Sequence, residues 1–146
     1  ATGEQAAGDP ALKDLLRLCD PGYERQRIEQ FLVESLILVP DGARLIAAAD
    51  PGMGEVLERS QELADRGLRN QVPQTRLMVS LAREAGAIGA SSFGAGWGGS
   101  VYALVPADDA EDFAPQWLQT YRDRAPEAER AATIVTKPGP GACRLP

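Results

Sequence analysis

From residue 23 onward, apolar side chains recur every three or four positions, and that period predicts helices. Ile28, Phe31, Leu32, Leu36 and Val39 make one stripe through 23–39, with Glu24, Arg25, Arg27, Glu29 and Gln30 mostly elsewhere. Pro40-Asp41-Gly42 should end this helix, and Ala43 to Ala49 should form a short one stopped by Asp50-Pro51-Gly52. The next helix spans Met53 to Leu68. Met53, Val56, Leu57, Leu63 and Ala64 take one face, while Glu55, Glu58, Arg59, Glu62 and Asp65 take the other. Asn70 to Pro73 breaks the pattern, and Pro73 fits the first turn of a following helix, where its missing N–H costs nothing. That helix should turn Leu77, Met78, Leu81 and Ala85 inward and stop at Gly86. Upstream, Leu12 to Leu18 suits a short helix closed by Asp20-Pro21-Gly22, and residues 1–22 read as a lead-in or linker.

The period then changes. Ile88 to Phe93 is short and rich in small residues, as a strand would be. Ser100 to Val105 is β-branched, aromatic and almost continuously apolar, which predicts a strand covered on both faces. Ala107 to Arg124 returns to helical spacing through Ala110, Phe113, Trp117, Leu118 and Tyr121. Pro115 interrupts it, so a kink or a later start is expected. Ala132 to Thr136 and Ala142 to Leu145 are two last candidate strands around a Pro/Gly turn at 137–141. The order implies an α+β fold, with helices packed on a mostly antiparallel sheet of about four strands.

Composition narrows the function classes. The 146 residues suit one domain, and 44% apolar with 25% charged residues is ordinary for a globular chain. The net charge of -6 comes without a basic stripe, so no nucleic-acid partner is expected. No apolar run approaches the roughly 20 residues that span a bilayer, so no membrane partner is expected either. The absence of histidine removes Ser-His-Asp and Cys-His catalysis and the common histidine metal sites. Cys19 and Cys143, far apart in an acidic domain, read as reduced structural thiols in a cytoplasmic protein, one disulfide being the alternative. The first residue is Ala1 and not Met, as in a processed chain or a fragment.

Gly94-Ala95-Gly96-Trp97-Gly98-Gly99 places four glycines in six residues between the two strands. Such a loop can receive an anion on its N–H groups, or it can be a tight connection packed under another segment. The residues alone favour the second. The loop lacks the Gly-Lys-Ser/Thr ending of a phosphate-binding P-loop, and a strand follows it where a dinucleotide fingerprint requires a helix. Ser91 and Ser92 lack a histidine or nearby lysine to activate them. Trp97 reads first as a packing residue and second as a ring for stacking on a ligand. Glu55, Glu58 and Glu62 read as solvated surface, and Trp117 and Tyr121 as core.

Residues 85–105 run Ala-Gly-Ala-Ile-Gly-Ala-Ser-Ser-Phe-Gly-Ala-Gly-Trp-Gly-Gly-Ser-Val-Tyr-Ala-Leu-Val. This stretch resembles the third motif of GHMP kinases in its galactokinase form. Gly54-Glu55-Val56-Leu57-Glu58-Arg59-Ser60 is similar to the family helix that ends near a serine. Gln71-Val72-Pro73-Gln74-Thr75 resembles the turn into the next helix, and Gly141-Ala142-Cys143-Arg144-Leu145 the closing strand. The resemblance implies a C-terminal, ferredoxin-like domain over 23–146, from an enzyme that moves a phosphoryl group from ATP to a sugar hydroxyl.

In that family the phosphate loop, the Mg2+ ligands and the aspartate that takes the hydroxyl proton lie in an N-terminal domain. The resemblance therefore implies that ATP and Mg2+ serve the intact enzyme and that this chain is not catalytic alone. Its partners would be its own N-terminal kinase domain, the sugar and ATP. Ser91, Ser92, Phe93, Gly94, Ala95, Gly96, Trp97, Gly98 and Gly99 would support the cleft. Two departures stand out. Ser91, Ser92 and Phe93 occupy places that usually hold Arg or Lys, an apolar residue such as Met, and Thr or Ser; Gln61 follows Ser60 where a histidine is usual. The altered triplet motivates a second expectation, a non-catalytic binding or regulatory module derived from such a kinase. A structural interaction domain is a third.

Overall fold

The computed structural model describes residues 22–139 together with Pro10 and Asp14. Pro10 and Asp14 have helical backbone; the rest of the expected 12–18 helix, both cysteines and the 142–145 strand lie outside the described residues.

Helix α1 covers Tyr23–Val33 and α2 covers Val39–Ala47. A π-helical segment, Glu34–Leu38, joins them without a break. Pro40-Asp41-Gly42 thus does not end the helix. Pro40 has no N–H to give to a carbonyl one turn back, and its ring would crowd that carbonyl in an α-ladder. The wide turn just before it changes the register, since the Val39 N–H reaches back to the Glu34 carbonyl, and Pro40 falls in the first turn of α2. Gly42 is buried where α2 meets Met53. The end comes at Ala49, with φ of 51°, and the Asp50 carboxylate accepts the Gly52 N–H at 2.8 Å.

Helix α3 covers Met53–Leu63 and continues as a π-helical segment, Ala64–Leu68, to the left-handed Arg69. The Tyr23 hydroxyl donates to the Leu68 carbonyl at 2.9 Å and ties α1 to this end of α3. Helix α4 covers Pro73–Glu84, with Pro73 in its first turn and Gly86 beyond its end at φ +91°. Thr75, Val79, Leu81 and Ala82 are its buried residues; Ala85, expected inward, is exposed because the helix has already ended there.

Strands β1 (Gly89–Phe93) and β2 (Ser100–Leu104) pair antiparallel, with Ser91 opposite Tyr102 and Phe93 opposite Ser100. Helix α5 covers Ala110–Arg124, later than residue 107, and carries exposed Pro115 inside it. A 3-10 turn at Pro126–Arg130 follows it.

The sheet lies between two helical layers. Ala90 joins Val79, Leu81, Ala82, Trp117, Tyr121, Ala125 and Ala128 in the core on the α4–α5 side. Trp117 Nε1 donates to the Met78 carbonyl at 3.0 Å and pins α5 to α4. On the opposite side α3 crosses β1 at close range. A Cβ at Gly54 would stand 2.0 Å from the Ile88 carbonyl oxygen, and one at Gly89 would stand 2.9 Å from the Gly54 Cα. Two glycines let helix and strand backbones touch here.

The sheet of the described residues has two strands. Residues 132–136 run beside no ladder, and Ile134 is exposed. β2 is not covered on both faces. Val101 and Ala103 face the core, whereas Tyr102 is 40% and Leu104 37% exposed, because α3 covers the β1 half of that face. The class is α+β with an antiparallel sheet, as expected. No helix of the described residues is long and apolar enough to cross a membrane.

Candidate functional site: the glycine loop and its amide support

The loop between β1 and β2 turns almost entirely through left-handed backbone. Gly94, Gly96, Gly98 and Gly99 have φ of +85°, +83°, +111° and +98°, and Trp97 has +63°. Two hydrogen bonds hold it to the turn before α4. The Trp97 N–H donates to the Asn70 carbonyl at 2.6 Å, and Asn70 Nδ2 donates to the Ala95 carbonyl at 3.2 Å. Gly96 passes directly over this contact; a Cβ there would stand 2.5 Å from the Asn70 amide.

The expected site residues separate into two sets. Ser91 is buried, and its hydroxyl donates to Gln61 Oε1 at 3.1 Å. The Ser92 N–H donates to the same oxygen at 2.8 Å. These two fix β1 to α3. Phe93 is 54% exposed, with its ring against Tyr102 at 5.8 Å, and Trp97 is 69% exposed. Trp97 therefore does not pack in the core, contrary to its first reading; a residue at the tip of a glycine turn has no neighbouring layer to enter. Phe93, Trp97 and the loop make the accessible part of the site.

Gln61, Asn70, Gln71 and Thr75 were not legible as site residues. Gln61 Nε2 donates to Gln71 Oε1 at 3.1 Å, Gln71 Nε2 donates to Asn70 Oδ1 at 2.9 Å, and the Thr75 hydroxyl lies 3.0 Å from Gln71 Oε1. One signal was available. Gln61 follows Leu57 by four positions, so an amide sits on the buried face of α3 with Gly54 and Leu57. A buried amide needs partners, and partners imply a polar network.

Beside the site, Ser60 Oγ donates to Glu34 Oε1 at 2.9 Å, while Glu34 Oε2 is buried with no hydrogen-bond partner among the described residues. Burial raises the Tyr102 pKa above its ordinary value, the nearby Glu34 carboxylate raises it further, and the Ser91 hydroxyl works against both. A groove of about 230 Å³ runs between α3 and α4, with Gln61 and Val79 in its lining. Its charges are paired: Arg76 bonds both Asp65 oxygens, at 2.8 and 3.0 Å through Nε, Arg83 pairs with Glu58, and Glu62 pairs with Arg59 outside the lining. The Asp65 contact raises the Arg76 pKa, burial opposing it. Among the described residues no cluster of three or more His, Cys, Asp or Glu could hold a metal ion.

Known proteins resemble this chain in sequence and fold. The galactokinase of Mycobacterium tuberculosis H37Ra is 29% identical over 140 residues, covering 96% of this chain and 38% of that protein. The galactokinase of Mycobacterium bovis BCG Pasteur is 33% identical over 110 residues, covering 75% of this chain and 30% of that protein. This chain thus spans under two-fifths of the length of these curated relatives. The crystal structure of Lactococcus lactis galactokinase complexed with galactose superposes with a TM-score of 0.67 at 21% identity, over 86% of this chain and 31% of that one. At that identity the likeness shows the fold. The model of the family described as GHMP kinases C terminal matches residues 45–123, more than half of the chain and including the whole glycine loop, and the chain belongs to that family.

Proposed function

We propose that this chain, with 23–146 as its domain, is the C-terminal part of a sugar kinase resembling galactokinase. The whole enzyme would transfer a phosphoryl group from ATP to a sugar hydroxyl, and this part would form one wall of the cleft without turning over alone. The observation that carries the reading is the glycine loop: a backbone turn held open by Asn70, flanked by exposed Phe93 and Trp97, inside the segment that matches the family.

Phosphoryl transfer needs reactants held in line and charge neutralised, more than it needs covalent chemistry from the protein. The loop suits the first task. Its glycines let backbone come close to a ligand, and its clamped shape needs little reordering when one arrives. The second task falls outside this chain. On this reading Mg2+ is held mainly by the N-terminal kinase domain, and no residue here is assigned to the metal. ATP supplies the phosphoryl group when bound, and the N-terminal kinase domain holds it together with Mg2+. That domain is also the partner for the exposed apolar side chains Phe93, Tyr102 and Leu104. On this reading the enzyme is cytoplasmic, which its two widely separated cysteines suit.

A second reading has one observation in its favour. Ser91, which stands where the family usually has a cation, is buried against Gln61 and presents no charge to a ligand. A non-catalytic small-molecule-binding module would tolerate that loss.

The test is an assay of the full-length protein with ATP, Mg2+ and a panel of sugars including galactose. ATP-dependent formation of a sugar phosphate is expected. Folded protein that phosphorylates no sugar would overturn the kinase reading in favour of the binding module.

A further inference from the structure

The polarity of the amide chain behind the glycine loop is set at both ends. The Ser92 N–H can only donate, so Gln61 must present Oε1 to it. Gln61 then offers Nε2 to Gln71 Oε1, and Gln71 offers Nε2 to Asn70 Oδ1. Asn70 is left with Nδ2 toward the loop, and the Ala95 carbonyl can only accept it. Turning any one amide over would set donor against donor and acceptor against acceptor. Three side chains from α3 and the following turn are therefore locked in one sense, and the last of them holds the loop.

Asn70 grips the loop twice, through its carbonyl to the Trp97 N–H and through its side chain to Ala95. Between those two points Gly96 leaves no room for a Cβ. The residue before Asn70, Arg69, is left-handed at φ 51° and closes the helical segment that precedes the turn.

We propose that Asn70, oriented by the Gln61–Gln71 amides, is a positioning residue that sets where the glycine loop and the Trp97 ring stand in the kinase cleft. This rests on the kinase reading above. A positioning role predicts loss of turnover with little change in ground-state binding, because misplaced backbone costs the transition state most.

The test is Asn70→Asp in the full-length protein. The replacement has the same shape and still accepts from Gln71, but it turns an acceptor toward the Ala95 carbonyl. Hydrogen exchange of the 94–99 peptide should quicken about fivefold or more, the factor that one hydrogen bond is worth. The kcat should fall about tenfold or more, KM for sugar and ATP should stay within about twofold, and exchange in α5 should be unchanged. Asn70→Ala, which removes the donor without adding repulsion, should shift the same quantities less, and it carries the test if Asn70→Asp does not fold.

Unchanged loop exchange in the folded variants would overturn the proposal. So would faster exchange spread equally through α4 and α5, which is general destabilisation, or a loosened loop with kcat intact. If the wild-type protein phosphorylates no sugar, the kinase reading and the role in turnover fall together; the exchange of 94–99 still decides separately whether Asn70 holds the loop.

Discussion

Gly54→Ala sets two magnitudes against each other. In a helix interior alanine is favoured over glycine by about 1 kcal/mol, an upper limit for Gly54 in the first turn of α3, so helix propensity alone predicts a protein at least as stable. The structure predicts the reverse, because the new Cβ would stand 2.0 Å from the Ile88 carbonyl oxygen, a backbone atom that no rotamer change can move. To reach ordinary contact, α3 and β1 must separate by more than 1 Å, roughly, and Leu57 must follow; overpacking of this kind costs about 3 kcal/mol or somewhat more. The net effect is a loss of about 2 kcal/mol, or roughly 30-fold in the local opening constant. Gly42→Ala is the control. Its Cβ would meet Met53 at 3.4 Å, an ordinary contact, so the propensity gain should survive there. Native-state hydrogen exchange of peptides covering 54–63 and 89–93 reads the opening free energy directly. A Gly54→Ala protein as stable as wild type, or stabler, would refute the claim that backbone contact decides this position.

Other outcomes follow from single contacts. Tyr102 should titrate above the ordinary tyrosine value of about 10, read by ultraviolet absorbance, and Glu34→Gln should bring its titration down. Because its folded pKa is raised, its contribution to stability is complete below the unfolded value and is lost as pH rises through the folded one; Tyr102→Phe should remove that alkaline loss from a stability–pH curve. Trp117→Phe gives up core volume and the bond to the Met78 carbonyl, and thermal unfolding should show a loss of about 2 kcal/mol. Trp97→Gly relieves a side chain held at φ +63° while removing little buried surface, so the melting temperature should hold or rise, while the proposed kinase activity of the full-length protein should fall.

Element type was mostly open to sequence reasoning, and the exceptions share a cause. Helix over 23–39 and 53–68 and the two strands around the glycines appear where periodicity puts them, but the 23–39 stripe is not a buried face: Phe31 is 64% and Val39 59% exposed, because among the described residues no layer covers that side of the helix. The Pro40 break failed because a local rule met a change of helical register, which no pairwise propensity encodes. Ala85 and Trp97 failed because inward and outward depend on where neighbouring layers stop. The glycine loop was visible as a family signature, yet its support was not. Gln61 and Ser92 lie 31 positions apart, and Asn70 and Ala95 lie 25 apart. Their pairing exists only once α3, the turn and β1 are packed.

The sequence by itself therefore determined the class, the kinase family it resembles and the segment that carries the resemblance. The class follows from period and turn residues, and the resemblance from the residue order of 85–105 and its neighbouring motifs, all local along the chain. Tertiary structure alone decided that Ser91 turns inward, that Phe93 and Trp97 stay in solvent, and that Asn70 is the grip on the loop. Each of these depends on hydrogen-bond direction and backbone proximity between segments far apart in sequence, and those quantities have no value until the chain has folded.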